Sequence, residues 1–388
     1  MADAVIIDAV RSARGKKKNG SLNGMHPMDL AAKVLAAAIA RTRVDPMLID
    51  DVVLGCVTEV GEQGLNIARG AVLAAGLPIE VPAVTLNRFC GSGLQAVNSA
   101  AQQIMSGMSD LAVAGGVESM SRVAMGSDAA GGEGPFSPML LARYPNLVPQ
   151  GISAELIAEK WKISRGQVDE FSAHSQQKAG AAIKGGYFKN EIVGLEITLA
   201  DGTRKHFDTD EHARPETSVE SLAKLNPSFK PDGVIHAGNA SGIVDGAAAV
   251  VLASAEKARS LGLKPRARIV AMSVAGSDPI LMLTGPIPST QKALKKAGLT
   301  MKDIDLVEIN EAFAPVPIVC AQELGIPLDK VNVNGGAIAL GHPLGATGAM
   351  LIATVLNELE RRDLRRGLVT LCIGYGMGIT TIIDRKLA

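Results

Sequence analysis

The sequence has few of the features that mark several protein classes. Aromatic residues make up only 3% of its 388 residues, and its 39 basic and 39 acidic side chains balance. Balanced charge without a long basic run argues against general nucleic-acid binding. The only four cysteines are Cys56, Cys90, Cys320 and Cys372, and none has a neighbour at CxxC spacing. Neither a disulfide framework nor a zinc site is therefore expected.

Long apolar stretches are also lacking, and no targeting segment is expected. The sequence contains no run of 18 uninterrupted apolar residues, so no membrane span is expected. Residues 4–10 already resemble a buried strand, so no cleavable leader is expected before them. These observations predict a cytoplasmic protein in a reducing compartment.

Short β-rich runs alternate with helical patterns in the first 120 residues. A helix is predicted from Met28 to about Arg41, where Pro27 and Asp29 mark its start and apolar residues follow at helical spacing. Strands are predicted at residues 5–7, 51–54, 84–86 and 111–114. This alternation is typical of a layered α/β fold.

The same order of elements recurs near the C-terminus. Residues 304–307 resemble 49–52, residues 331–334 resemble 84–87, and residues 368–370 resemble 111–113. Copies about 250 residues apart are too distant for a solenoid, so two similar halves are expected. We predict an N-terminal half of residues 1–117 plus 240–266, an inserted segment of residues 118–239, and a C-terminal half of residues 267–388.

Three reactive side chains lie between glycines, in RFCGSG (88–93), ALGHPLGATG (339–348) and LCIGYGMG (371–378). Flanking glycines let a substrate reach both the reactive atom and the neighbouring amides. Cys90 precedes a predicted helix at 94–104, a position that favours its thiolate. His342 belongs to a residue type that titrates near neutrality. Two thiols and one imidazole indicate acyl transfer through sulfur.

Six motifs together resemble the thiolase family, in order and over the whole chain. They are RFCGSG, NASGIVDGAA (239–248), TGPIP (284–288), INEAFA (309–314), NVNGGAIALGHPLGATG (332–348) and CIGYGMG (372–378). The resemblance implies a duplicated α-β-α-β-α fold with an inserted loop domain that binds CoA. It implies an acyltransferase for which CoA is a substrate, with no metal or redox cofactor, and a homodimer or homotetramer.

The resemblance also implies catalytic roles. Cys90 would accept the acyl group, His342 would take its proton, and Cys372 would act as acid or base at the α-carbon of the substrate. Asn310 would hold a water that, with His342, stabilises the enolate oxygen. The amides of Cys90 and Gly374 would form a second oxyanion hole.

CoA needs a few basic groups and a narrow apolar tunnel. The resemblance points to Arg214 and Ser221 near its nucleotide end, and to Ser241 and Phe313 along its pantetheine arm. Taken alone, each of these residue types is more often a solvated or packing residue.

The sequence departs from the family pattern at three positions. Tyr375 replaces a glycine, while Gln150 and Leu283 stand where many short-chain thiolases have Met and Gly. The phenol could narrow the acyl pocket, donate a hydrogen bond to a polar substrate, or shift the oxyanion hole. The acyl specificity therefore stays open.

The predicted function is cleavage of a 3-oxoacyl-CoA by CoA into acetyl-CoA and a shortened acyl-CoA, or the reverse Claisen condensation. A biosynthetic acetoacetyl-CoA thiolase would share all these residues. A condensing enzyme for carrier-protein thioesters typically pairs its cysteine with two histidines or with His and Asn, whereas the third residue here is Cys372. A non-catalytic acyl-CoA binding protein would not need Cys90, His342 and Cys372 together.

Overall fold

The structure is a computed structural model that describes residues 3–132, 134–199 and 201–387. Residues 1, 2, 133, 200 and 388, which the predicted domain boundaries include, lie outside the described residues. The strands are β1 (Ala4–Ser12), β2 (Gly15–Lys16), β3 (Asp51–Gly55), β4 (Ala83–Leu86), β5 (Leu111–Ser119), β6 (Ile192–Val193), β7 (Leu195–Thr198), β8 (Arg204–Phe207), β9 (Val244–Ser254), β10 (Ala267–Gly276), β11 (Leu306–Ile309), β12 (Arg366–Ile373) and β13 (Met377–Asp384). The helices are α1 (Pro27–Thr42), α2 (Ile67–Ala74), α3 (Ser92–Ser106), α4 (Pro138–Arg143), α5 (Gln150–Lys160), α6 (Arg165–Gly185), α7 (Val219–Ala223), α8 (Ala255–Ser260), α9 (Pro286–Ala297), α10 (Pro315–Leu324), α11 (Ala337–Leu340) and α12 (Leu344–Arg361).

The main sheet consists of two similar strand sets joined edge to edge. Its order is β11-β12-β13-β10-β1-β9-β5-β3-β4, and a short antiparallel pairing of β1 with β10 connects the sets. Each set combines a parallel pair, β3 with β5 or β11 with β12, with antiparallel neighbours. The predicted duplicated α/β fold is confirmed.

Helices cover both faces of this sheet and lie between its two halves. Helices α1 and α2 pack on the outer face of the first set, and α9 and α10 pack on that of the second. Helices α3 and α12 share a buried apolar cluster with strands of both sets. Five layers result, in the order α-β-α-β-α.

Close contact of α3 with α12 brings two of the glycine-flanked motifs together. A Cβ built at Gly348 would lie 2.2 Å from the backbone nitrogen of Leu94, so only glycine permits this approach. Cys90 lies just before α3 and His342 just before α12. The crossing of the two helices therefore places the thiol and the imidazole in one region.

The resemblance of residues 331–334 to 84–87 implies a second copy of strand β4, and the structure does not contain one there. Val331 forms only an isolated parallel bridge with Val307, where β4 pairs with β3 over four residues. The side chain of Asn332 replaces the missing ladder, because its Oδ1 accepts from the Ile309 amide and its Nδ2 donates to the Ile309 carbonyl, both at 2.8 Å. A side-chain amide thus satisfies the backbone of β11.

The segment between β5 and β9 contains α4 to α7 and a separate hairpin of β7 and β8. Its longest helix, α6, begins with a capping box in which the Ser164 hydroxyl accepts from the Gln167 amide and the Gln167 side chain accepts from the Ser164 amide. No helix in the described ranges is both long and apolar enough to cross a membrane.

Candidate active site

A cavity of about 710 Å³ lies between the two halves and the segment of α4 to α7. Its walls include six of the nine predicted site residues: Cys90, Arg214, Ser221, Ser241, Phe313 and His342. Asn310, Cys372 and Gly374 lie outside the cavity wall and are described below with their neighbours. The cavity wall therefore combines residues from four of the six sequence motifs, namely RFCGSG, NASGIVDGAA, INEAFA and NVNGGAIALGHPLGATG.

Backbone hydrogen bonds join three loops that are far apart in the sequence. The amide of Ser241 donates to the Ala312 carbonyl at 3.0 Å, and the amide of Ala314 donates to the Asn239 carbonyl at 2.9 Å. The amide of His342 donates to the Gly242 carbonyl, also at 2.9 Å. The NASG, NEAFA and GHP motifs thus form one connected surface.

Cys90 lies in a tight turn between β4 and α3. The Ser92 hydroxyl accepts from the Arg88 amide at 2.8 Å and donates to the Phe89 carbonyl at 2.7 Å, which fixes this turn. Phe89 has a left-handed backbone with φ of 45°. The thiol is buried with Val57, Met120 and Leu344 around it. Cys90 therefore precedes a helix, α3, as the sequence predicts, but apolar side chains surround its thiol.

Burial raises the pKa of Cys90 to about 11, although the side chain of Gln150 acts in the opposite direction. The prediction that its position favours the thiolate is corrected, because desolvation outweighs the stabilising hydrogen bonds. Gln150, noted in the sequence only as a departure from the family pattern, lines the cavity beside Cys90.

His342 is held by neighbours on both ring nitrogens. Its Nδ1 lies 2.6 Å from the Thr347 hydroxyl, and Nε2 lies 3.2 Å from Nδ2 of Asn310. The Thr347 hydroxyl donates its own hydrogen to the Pro343 carbonyl at 2.9 Å, so it accepts from the imidazole. Nδ1 therefore carries the hydrogen, and Nε2 has the lone pair of a general base.

The pKa of His342 is lowered to about 3 by burial and by the positive charge of Arg14. The expectation of a group that titrates near neutrality is therefore corrected. With the pKa of the thiol raised and that of the imidazole lowered, Cys90 and His342 form a neutral pair at neutral pH. For Cys90 to act as a nucleophile, its thiol proton would have to leave as the sulfur attacks.

A glycine before His342 is required by its surroundings. Gly341 has φ of 93°, and a Cβ there would lie 2.4 Å from the Val244 side chain. The loop therefore runs close to β9, which aligns the imidazole with the cavity. The helix that follows, α12, begins at Leu344.

Glu118 stabilises the loops around this pair. Its carboxylate accepts hydrogen bonds from the amides of Val57, Thr58 and Gly345, at 2.8 to 3.1 Å, and from the Gln63 side chain at 2.9 Å. It joins the end of β3 to the first turn of α12. Sequence reasoning did not identify Glu118 or Thr347, because neither role has a local sequence signal.

Asn310 directly follows β11. Its Oδ1 is buried and accepts no hydrogen bond from the part of the chain that the structure describes. A buried amide oxygen of this kind normally has a partner, so a water or ligand donor fits here.

Cys372 is fully buried in β12. Burial raises the pKa of its thiol well above the usual range, and charge on Cys90 or Cys320 would raise it further. A Cβ built at Gly374, two residues on, would lie 3.5 Å from the Phe89 ring and 3.8 Å from Nε2 of Gln150. The end of β12 therefore meets the Cys90 loop.

The four predicted CoA contacts all line the cavity. Phe313 is buried and packs edge-on against Phe229. The Ser221 hydroxyl already takes part in the capping box of α7, accepting from the Ser218 amide at 3.0 Å. Two histidines that sequence reasoning missed, His212 and His236, also lie in the wall.

The positions that depart from the family pattern lie in different surroundings. Tyr375 is 37% exposed with φ of 62°, and its ring contacts Phe89 at 5.5 Å and Phe136 at 6.1 Å between centroids. Leu283 is buried in the cluster beneath the second strand set. Phe89, which also packs against the cluster around Cys90, therefore connects Tyr375 to that cluster.

Comparisons with known proteins agree with this geometry. The family profile "Thiolase, N-terminal domain" matches residues 4–256, and "Thiolase, C-terminal domain" matches residues 263–385. The "3-ketoacyl-CoA thiolase" of Vibrio cholerae serotype O1 is 47% identical over 395 residues, covering 99% of this chain and all of the relative. That of Serratia proteamaculans is 47% identical over 393 residues with the same coverage.

A solved structure gives the same result. The acetyl-CoA acetyltransferase of Bacillus anthracis superimposes with a TM-score of 0.90 at 41% identity, covering 99% of both chains. The chain therefore belongs to the thiolase family.

Proposed function

We propose that this thiolase cleaves 3-oxoacyl-CoA with free CoA, and that Cys90 carries the acyl group between the two half-reactions. The observation that carries the proposal is the position of Cys90 and His342 in one cavity wall, with Asn310 hydrogen-bonded to the imidazole. The two relatives at 47% identity are both named "3-ketoacyl-CoA thiolase", which supports the proposal.

In the first half-reaction, Nε2 of His342 takes the proton of Cys90 while the sulfur attacks the 3-oxo carbon. The bond between C2 and C3 breaks, and the electron pair forms the enolate of acetyl-CoA. The thiol of Cys372 protonates C2, and acetyl-CoA leaves. A thiol with a strongly raised pKa holds its proton until a carbanion forms, which suits this step.

In the second half-reaction, the Cys372 thiolate takes the proton of the incoming CoA thiol. The CoA sulfur attacks the acyl group on Cys90, and His342 returns its proton to the departing Cys90 sulfur. Both residues recover their starting protonation states. The amides of Cys90 and Gly374 stabilise the oxyanion on the acyl group, and Asn310 with a water stabilises the enolate oxygen; such preorganised donors contribute on the order of 3 kcal/mol each.

The inserted segment, residues 118–239, supplies much of the CoA site in this proposal. Arg214 is exposed at the cavity and offers a positive charge to the phosphates of CoA. Ser221 lies on the same wall, while Ser241 and Phe313 line the path toward Cys90. The thioester arm then runs between Phe313 and the NASG loop.

A second candidate is condensation of two acetyl-CoA molecules. The similarity to the Bacillus anthracis acetyl-CoA acetyltransferase favours it. Both reactions would use the same residues, since this condensation is the reverse of the cleavage of the shortest substrate, acetoacetyl-CoA. The chain length of the preferred acyl group separates them.

We further propose a homodimer formed through the edge of the main sheet, with tetramers built from such dimers. Strand β4 lies at one edge of the main sheet. Two apolar side chains at this edge are exposed, Val84 by 43% and the nearby Ile79 by 75%. An unpaired strand edge with exposed apolar residues favours pairing with a second copy.

A reducing cytoplasm suits the chemistry because it keeps the thiols of Cys90 and Cys372 free.

Thiolysis of acetoacetyl-CoA and longer 3-oxoacyl-CoAs tests the proposal. The loss of the 3-oxo thioester absorbance is followed for the wild type and for Cys90→Ser. Turnover that disappears in the variant supports the Cys90 mechanism, and the chain-length profile decides between the two candidates. Binding of CoA esters without turnover would overturn the enzyme assignment.

A further inference from the structure

A buried carboxylate behind the cavity connects two of its walls. Oδ1 of Asp169, on α6, accepts from Nε2 of His236 at 2.7 Å and from Nδ2 of Asn239 at 3.2 Å. Its Oδ2 accepts from Nε of Arg165 at 2.8 Å. Asp169 and His236 are 1% and 0% exposed, so these contacts are protected from water.

The first wall is the loop that leads into the NASG motif. His236, Ala240 and Ser241 of this loop line the cavity. Asn239 also donates to the Val234 carbonyl at 2.9 Å, and its Oδ1 accepts from the His236 amide at 2.8 Å. Asp169 therefore holds a loop that is already folded on itself.

The second wall is the end of α7 and the residues after it. Nη2 of Arg165 donates to the carbonyls of Leu222 and Leu225, at 2.7 and 2.9 Å. Both leucines line the cavity. A Cβ built at Gly238 would lie 2.5 Å from Leu222 and 2.8 Å from Leu225, so the two walls touch.

The protonation state of His236 follows from its partners. Its Nδ1 accepts from the Gly238 amide at 3.0 Å, so this nitrogen has a lone pair. Its Nε2 must then carry the hydrogen that is donated to Asp169. A second proton on Nδ1 would place two N–H groups against each other and break the bond to Gly238.

We propose that Asp169 and His236 are positioning residues for CoA, and that the neutral form of His236 is required to keep the two walls in place. This inference rests on the proposed CoA site, which these walls form. Neither residue touches the reacting atoms; they act through Gly238, Leu222 and Leu225.

Three charged groups act on His236. Asp169, on α6, and Glu155, on α5, favour its protonation, and Glu155 also accepts from the amides of Val234 and Ile235 at 2.9 and 2.8 Å. Burial and Arg165 oppose protonation, and burial is the largest effect, so the pKa of His236 is lowered. The walls should therefore stay in place at neutral pH and loosen only in acid.

The first test is Asp169→Asn, which keeps the side-chain volume but removes the charge. We expect the dissociation constant of CoA, measured by calorimetry at pH 7.5, and the KM for CoA to rise about tenfold, with kcat changed less than twofold. Asp29→Asn, an exposed aspartate in the first turn of α1, is the matched control and should leave both constants unchanged. Unchanged CoA affinity in Asp169→Asn, or a loss of kcat alone, would overturn the inference.

The second test is the pH dependence of CoA binding in the wild type and in His236→Gln. Glutamine can keep a donor toward Asp169 but does not titrate. The wild type should lose at least threefold more affinity than the variant between pH 7.5 and 5.0. Because CoA phosphates titrate near pH 6 in both experiments, only the difference between the proteins is informative. Parallel profiles would overturn the role of His236.

These readouts remain separate from the proposed reaction. Calorimetric binding of CoA needs no turnover, so a protein that binds CoA but does not cleave 3-oxoacyl-CoA fails only the catalytic proposal. Conversely, normal wild-type turnover with unaltered CoA affinity in both variants fails only this inference. If Asp169→Asn does not fold, the comparison of the wild type with His236→Gln decides.

Discussion

Replacement of Thr347 by valine should reduce turnover although Thr347 never reaches the cavity. Its hydroxyl accepts from Nδ1 of His342 and donates to the Pro343 carbonyl. Valine has nearly the same shape, so packing in α12 is kept while the acceptor is lost. The Pro343 carbonyl still accepts from the amides of Ala346 and Thr347, both at 2.9 Å. The change therefore acts on the imidazole alone.

The magnitude follows from the cost of the unpaired hydrogen. A buried donor without an acceptor costs about 1–3 kcal/mol. The imidazole can avoid this cost by moving its hydrogen from Nδ1 to Nε2. Nε2 then has no lone pair and can no longer accept the proton of Cys90. Either response raises the barrier, and a loss of roughly 10- to 100-fold in kcat is expected.

The assay is steady-state thiolysis of acetoacetyl-CoA by the wild type, Thr347→Val and Thr347→Ser. Serine keeps the hydroxyl and should retain activity within about threefold. Thermal unfolding of each variant shows whether the fold is intact. If Thr347→Val turns over within twofold of the wild type, the hydroxyl does not set the tautomer of His342, and the reasoning is refuted.

Three further predictions concern the same region. Folding lowers the pKa of His342 to about 3, whereas its imidazole titrates near 6.5 in the unfolded chain, so the unfolded state binds more protons in acid. The free energy of unfolding should therefore fall as pH drops from about 6.5 toward 3, and less steeply in His342→Asn. Equal pH slopes for the two proteins in denaturant titrations would contradict this. Asn310→Ala should lower kcat by about 10²-fold with little change in the KM for CoA, and a change in KM alone would argue against an enolate-stabilising role. Tyr375→Gly should shift the chain-length profile toward bulkier 3-oxoacyl-CoAs by freeing Phe89, and an unchanged profile would refute its role. Its stability should change by less than about 1 kcal/mol, because relief of the left-handed backbone offsets the lost aromatic contacts with Phe89 and Phe136.

The broad architecture could be predicted because it depends on local patterns. The predicted helix at 28–41 differs from α1 by one residue at each end, and the predicted strands at 51–54 and 84–86 differ from β3 and β4 by one residue at one end. Capping residues and apolar periodicity are short-range signals, so they can be read without the fold. The resemblance of residues 331–334 to 84–87 did not yield a strand, because the side chain of Asn332 replaces backbone pairing there.

Protonation states could not be predicted in the same way. The sequence places Cys90 before a helix and His342 between glycines, and both features suggest groups active near neutral pH. Desolvation instead raises the pKa of the Cys90 thiol and lowers that of the His342 imidazole. It depends on residues from distant parts of the chain that exclude water from both side chains. Only the packed core determines that balance.

The sequence by itself determined the duplicated α/β fold, the two thiols and the imidazole, since these depend on periodicity and on reactive residue types between glycines. The tertiary structure alone decided that Thr347 sets the tautomer of His342 and that Asp169 joins two cavity walls. Hydrogen bonds such as that of His236 with Asp169, 67 positions away, form only when folding brings distant segments together. No local sequence pattern predicts such a contact, because the hydrogen bond stabilises the protein only when both partners are buried together.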